Sequence, residues 1–294
     1  MTPKDISLLV GELGGALPPA CGAAFQDADF TRRTPGPDEQ REILLRALQH
    51  VDSNECVSGS EDAPDRGPGS TLMRRHKTWE RCYEGMIENS VSLETPPFLV
   101  PVPGTPVRLN GRYEVPHSAM FEANFLAVVR AFLFDRFFAD LPTVAEFGCG
   151  SGHNLYALAQ QQPGKKLYGF DWSENAVKLV EDLRTKFGID IHGRRFDFFS
   201  PDKNMTMGHE GGVLTVGALE QGGKRFSNFL AFLLAKKPAL CVHLEPIVEN
   251  YDPDDLFDYA ALRYHRKRGY LEGFLPALLG FEKRGSLEIL AQHR

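Results

Sequence analysis

From about residue 118 the sequence predicts an α/β fold with a doubly wound, mostly parallel sheet, preceded by a mainly helical N-terminal extension. Three observations carry that prediction. Short apolar runs alternate with helical stretches of about 10–15 residues, the pattern of βαβ units. One of those runs ends in glycines at alternate positions and opens straight into a helix. The length of 294 residues is long for one average domain and short for two, which suits one large domain with an appendage.

The elements follow in order. Residues 37–52, PDEQREILLRALQHVD, have Ile43, Leu44, Ala47, Leu48 and Val51 at helical spacing, with Pro37 and Asp38 suited to a helix start. Residues 53–70 are rich in Ser, Gly, Pro and Asp and predict a flexible loop. A second helix is expected over 71–90. Prolines recur between 96 and 116, so that stretch is expected to run extended. These parts form an N-terminal region, 1–117, ahead of a domain spanning 118–294. That domain opens with the apolar helix MFEANFLAVVRAFLFDRFF, then strand TVAEF, helix NLYALAQQ, strand KLYGFD and helix ENAVKLVEDLRTKFG. A strand near RRFDFF, strand GVLTVGA, helix KRFSNFLAFLLAKK, strand ALCVHLEP and a helix over 254–268 complete the pattern. Beyond it, Ser286–Arg294 reads as a strand, and Leu278–Lys283 is either a weak strand or the place where a final strand is missing. A missing strand would leave an unpaired sheet edge, which favours association, so a homo-oligomer is open.

Composition excludes several classes. Hydrophobic residues at 42% and charged residues at 24% argue against global disorder. A net charge of −6 argues against a dedicated nucleic-acid binder, so no DNA partner is expected. No apolar run approaches the roughly 20 residues needed to cross a bilayer. Asp5 and Glu12 spoil the start of a secretory signal. Five scattered cysteines without a C-x-x-C fit a reducing compartment, so a cytoplasmic location is expected and no structural zinc site.

The informative motif is Val144-Ala-Glu-Phe-Gly148-Cys-Gly150-Ser-Gly152-His-Asn154. Its glycines allow a sharp turn and close approach of a ligand, and the helix behind them offers free backbone N–H groups. The plain alternative is an ordinary glycine-rich βα turn. The next strand ends in Asp171, an acid able to receive both hydroxyls of a ribose. The following strand ends in Asp197-Phe198-Phe199, suited to an adenine edge and face, or simply to core. A dinucleotide fingerprint requires a small residue where His153 stands, and no G-K-[ST] follows for a phosphate loop.

This set resembles the class I, Rossmann-like S-adenosylmethionine-dependent methyltransferases over about residues 118–294. The resemblance implies the Rossmann-like methyltransferase fold, S-adenosylmethionine as cofactor and S-adenosylhomocysteine as product. It implies that Glu146 and the loop of Gly148, Cys149, Gly150, Ser151 and Gly152 bracket the methionine and ribose. Asp171 would hold the ribose hydroxyls, Trp172 would pack on the adenine, and Asp197 with Phe198 would contact its edge and face. The fourth-strand motif reads Ala218-Leu219-Glu220-Gln221, where many members have a histidine, so no base is carried over there.

Methyl transfer requires an acceptor aligned with methyl carbon and sulfur, and a hydroxyl acceptor gains from a base. Alternation puts Cys241, His243 and Glu245 on one face of the fifth strand, which makes His243 a candidate base and Glu245 a candidate orienting group. Asp258, His265 and Arg268 share reach of one helix face, and His265 joins the catalytic candidates. The basic run 263–268 suits an anionic or sugar-containing small molecule, or a solvated helix end. The acids of 249–255 are read as a turn and helix start, and no metal is expected. Arg112 is a candidate partner for the cofactor carboxylate, within a segment that folds over the cofactor or merely links. The expected reaction is O-methylation of a small polar acceptor, a sugar or secondary metabolite. The alternatives are a protein or RNA methyltransferase, or a non-catalytic cofactor-binding module.

Overall fold

Alternating hydrophobicity builds a sheet here whose two faces are covered by different helices. The computed structural model describes residues 18–26, 28–53, 104–205 and 210–294. The helix expected over 71–90 and nearly all of the loop expected over 53–70 lie outside the described residues.

The N-terminal part holds α1 (Pro19–Gln26), β1 (Arg32–Arg33), α2 (Pro37–Asp52), β2 (Val107–Leu109) and β3 (Arg112–Pro116). Helix α2 spans the residues its sequence marks, with Pro37 in the first turn and Ile43, Leu44 and Val51 buried. Residues 96–103 of the proline-bearing stretch lie outside the described residues; from 104 on it forms β2 and β3, which pair antiparallel, and β1 joins β3 on the other side. Asn110 and Gly111 both have positive φ, 49° and 76°, which closes the hairpin with the twist that flanking strands prefer. Among its described residues the N-terminal extension holds two helices and a small three-stranded antiparallel sheet.

The larger part runs α3 (Phe121–Leu133), a π-helical continuation (Phe134–Phe138), β4 (Thr143–Phe147), α4 (His153–Gln161), β5 (Lys166–Asp171), α5 (Glu174–Phe187) and β6 (Ile191–Arg195). It continues with β7 (Gly212–Val216), α6 (Ser227–Lys236), β8 (Leu240–Leu244), α7 (Leu256–Arg268) and α8 (Phe274–Lys283). The strand order is β6-β5-β4-β7-β8, and every pairing is parallel. The chain moves outward from β4 to β6, then returns to lay β7 on the other side of β4. That reversal leaves a crevice beyond the carboxyl ends of β4 and β7, where ligands of such sheets bind.

Both sheet faces are buried, as a parallel sheet requires. Val144 joins the core under α4 and α5, with Leu155, Leu158, Leu179 and Leu183. Ala145 and Phe147 face the opposite core, under α6 and α8. There Phe147 stacks on Phe170 at 4.7 Å and meets Phe196 edge-on at 4.6 Å.

Two sequence expectations are corrected. The third strand is Ile191–Arg195, earlier than RRFDFF suggested. Phe196 is core, but Asp197 Oδ1 accepts the Phe199 N–H and turns the chain out of the sheet. Ser286–Arg294 forms no strand, and Leu278–Lys283 is the end of helix α8. Among the described residues the large sheet therefore has five strands and ends at β8.

Candidate functional site

The glycine loop after β4 is a sharp, pinned turn. Gly148, Gly150 and Gly152 have φ of 76°, 53° and 74°. A side chain is strained in that region, and at Gly148 a Cβ would stand 2.3 Å from the Ala218 Cβ. The loop beyond β7 thus lies directly against the glycine loop. Backbone N–H groups of Gly148 and Cys149 donate to the Phe170 carbonyl at 2.7 and 3.1 Å.

Asp171 fixes the other side. It is 6% exposed, its Oδ2 accepts the Gly150 N–H at 3.0 Å, and its Oδ1 accepts the Ser173 N–H at 2.9 Å. The carboxylate joins the loop to the start of α5, where Ser173 is the N-cap. Trp172 follows Asp171, half-buried. Asp197 and Phe198 are half-buried, and the Phe198 ring comes within 3.5 Å of the place a Gly148 Cβ would take.

Glu146, on β4, is 1% exposed. Its Oε1 accepts from Asn154 Nδ2 at 2.6 Å, and Oε2 is buried with no hydrogen-bond partner. Burial pushes its pKa up to about 8, against the lowering pull of Asn154 and Arg130. An orphaned buried carboxylate oxygen beside a glycine loop suits a ligand that brings a positive charge. His153, also a candidate from the sequence, has an unpartnered Nε2, and burial with the Arg130 charge holds its pKa down at about 3. Ser151 Oγ lies 3.3 Å from its Nδ1.

The expected catalytic residues occupy different surroundings from those their sequence suggested. Glu245 does not present a free carboxylate. Its Oε1 accepts the N–H groups of Ala218 and Leu219, each at 3.2 Å, and Oε2 accepts that of Glu220 at 3.0 Å. It is a positioning residue for the 3-10 turn Leu219–Gly222. His243 Nδ1 is 2.9 Å from Thr215 Oγ1, and its ring meets Phe274 edge-on at 5.2 Å. Burial holds its pKa at about 4, so it resists the proton a base must accept near neutrality. His265, on α7, has Nε2 3.2 Å from the Tyr251 hydroxyl and a buried Nδ1 without a partner. Burial, then the Arg108 charge, lowers its pKa to about 4. Arg112 is turned away from the expected role. It pairs with Asp255 at 3.0 Å and lies over Phe257 at 4.7 Å.

Glu220 was overlooked by sequence reasoning. It is 8% exposed, two residues past Ala218, on the turn that Glu245 holds against the glycine loop. Its charge reaches Tyr251, whose pKa is raised by burial first, against Arg108 and Arg294, with Asp258 and Glu220 adding to the rise. No motif marks Glu220, because a carboxylate after a fourth strand has no characteristic spacing. The acids of 249–255 have local roles. Asp255 caps α7 through the N–H groups of Phe257 and Asp258, and Glu249 accepts from Gly273. Among the described residues no three His, Cys, Asp or Glu side chains gather as a metal site. No described helix is long and apolar enough to cross a membrane.

No protein-family model matches the chain. Over 62 residues it is 39% identical to the Saccharomyces cerevisiae protein-lysine N-methyltransferase EFM4, a match covering 20% of this chain and 27% of that one. The chain thus spans about a quarter of that curated relative. Among solved structures it is similar to human N-acetylserotonin methyltransferase in complex with S-adenosylmethionine, at 14% identity and TM-score 0.43, covering 83% of this chain and 60% of that one. It is also similar to the plantazolicin methyltransferase BpumL in complex with S-adenosylhomocysteine, at 14% identity and TM-score 0.38, covering 84% and 78%. The strand order, the pinned glycine loop after β4 and the acid closing β5 together make the larger part a Rossmann-like α/β fold.

Proposed function

We propose that the chain transfers a methyl group from S-adenosylmethionine to an oxygen of a small polar acceptor, such as a sugar or secondary metabolite. The observation that carries the cofactor reading is Asp171, a buried acid at the end of β5 that ties the Gly150 N–H of the glycine loop to the start of α5. Glu146 with the Gly148–Gly152 loop would hold the methionine end, and Trp172, Asp197 and Phe198 the adenine. The cofactor supplies a methyl carbon on a positively charged sulfur, from which an acceptor oxygen displaces neutral thioether. Arg112 has no part in this reading, since Asp255 and Phe257 engage it.

Glu220 is our candidate for the acceptor side. Its carboxylate would take the hydroxyl proton as the new carbon–oxygen bond forms, with Tyr251 and His265 lining the same end. Its support is the contact of its loop with Gly148, at the strand-order reversal. A second reading, an amine acceptor on a protein, is favoured by the 62-residue match to a protein-lysine methyltransferase.

Calorimetry with S-adenosylmethionine tests the first part. Binding should occur, and Asp171→Ala should weaken it more than tenfold. Absence of binding, or binding indifferent to Asp171→Ala, would sink the reading. S-adenosylhomocysteine release with hydroxylated small molecules and with lysine peptides then separates the acceptors. Glu220→Gln should cut turnover about 10²- to 10⁴-fold while leaving the cofactor Kd unchanged.

A further inference from the structure

The charges around Glu146 do not balance. Its carboxyl lies in the sheet centre, 1% exposed, with Oε2 buried and unpartnered. From α3, Arg130 directs Nη1 to the Asn154 Oδ1 at 3.2 Å, so it supports the asparagine that serves Glu146. From β5, Asp171 faces it, and from the end of β8, Glu245 does so too, both as like charges. The neighbouring Cys149 thiol and His153 imidazole are each driven by burial toward their neutral forms. Two further carboxylates therefore stand near Glu146, with one guanidinium to offset them.

We propose that Glu146 is a charge-selective residue that exchanges a proton for the positive charge of the cofactor. Without ligand the carboxyl holds a proton, because burial and the two like charges disfavour the anion. When S-adenosylmethionine enters, its positive charge provides the missing counter-ion. The proton leaves to solvent, the carboxylate forms, and atoms and charge balance. The inference rests on the cofactor reading above. It adds that binding is linked to proton release and that the site favours a cationic ligand over a neutral one.

The raised pKa of about 8 sets the window. Glu146 contributes stability to the ligand-free fold that is fully present below its ordinary value of 4.5. That contribution is lost as pH rises through about 8. In the same range cofactor binding should tighten with pH, by up to about tenfold per unit while one proton is coupled, and level off above.

The test is calorimetry of S-adenosylmethionine binding to the full chain at pH 6, 7, 8 and 9, in two buffers of different ionisation enthalpy. The buffer dependence reads the protons exchanged. Wild type should release about one proton at pH 7 and almost none at pH 9. Glu146→Gln should bind with no such release and a flat pH profile, and its ligand-free urea midpoint should lose the fall seen in wild type between pH 5 and 8. Binding without proton release at pH 7, or equal release by Glu146→Gln, would overturn the inference and leave the cofactor reading standing. Failure of wild type to bind at any pH would overturn both. If Glu146→Gln does not fold, the wild-type series decides, since a flat profile alone refutes the exchange.

Discussion

Replacing Glu245 with alanine would remove the acceptor for three backbone donors at once, the N–H groups of Ala218, Leu219 and Glu220. A hydrogen bond to a charged group is worth about 1.5–3 kcal/mol, and three on one carboxylate share part of that energy. Against them stands the cost of burying the anion, which shows in the raised Glu245 pKa, caused first by burial. Removing one partner of a buried charged arrangement leaves a net loss of about 3–5 kcal/mol. For a chain of this size that lowers Tm by about 6–20 °C. Glu245→Gln keeps one carbonyl acceptor and should lose roughly half as much free energy. Urea denaturation at pH 7.5, followed by circular dichroism and fluorescence together, would give the midpoint and slope of each variant. A loss under about 1 kcal/mol for alanine would mean that water satisfies the three donors, and the positioning role of Glu245 would be refuted.

Two further predictions follow from local geometry. Gly148→Ala combines a positive φ of 76° with a Cβ 2.3 Å from that of Ala218, and should cost about 2–4 kcal/mol. Ala218→Gly in the same chain should restore more than about 1 kcal/mol of it in a double-mutant cycle, and additivity would show that the two loops do not press on each other. Asp255→Ala deprives α7 of its N-cap and Arg112 of its partner, and should lower stability by about 1–2 kcal/mol in thermal melts, with Arg112→Ala alone costing well under 1 kcal/mol.

The sequence carried the parallel sheet plainly, because each strand and helix states its own period. Val144, Ala145 and Phe147 alternate between two cores as their spacing implies. The same local logic misplaced the third strand. Apolar content made FDFF look like sheet, yet one Asp197 side chain turns the backbone there. It also promised a strand over Ser286–Arg294, where β-type residues meet no partner strand. The sharp glycine loop and the buried acid closing β5 were legible from glycines and acids at strand ends. The role of Glu245 was not, because it depends on three N–H groups about 25 residues earlier in the chain. Glu220 gains its interest only when the Ala218 and Gly148 loops are seen to touch. A residue's chemistry is written in its letter, and its partners are written in the fold.

The boundary near residue 118 is no seam. Cys21, Phe30 and Val107 share one core with Phe121, Val128 and Phe132 of α3. Arg108, on the hairpin, pairs with the carboxylate of Asp258, which is 2% exposed on α7. The end of α2 is tied to α7 again, through Asp52 with Arg263 at 2.5 Å and His50 stacked on Tyr264 at 6.5 Å. A shortened chain that began at residue 118 would uncover one wall of that core and strip a buried anion of a cation. The N-terminal strands and helices behave as the keel of the larger half, and a change of sequence in them would be felt at Tyr251 and His265 without touching either.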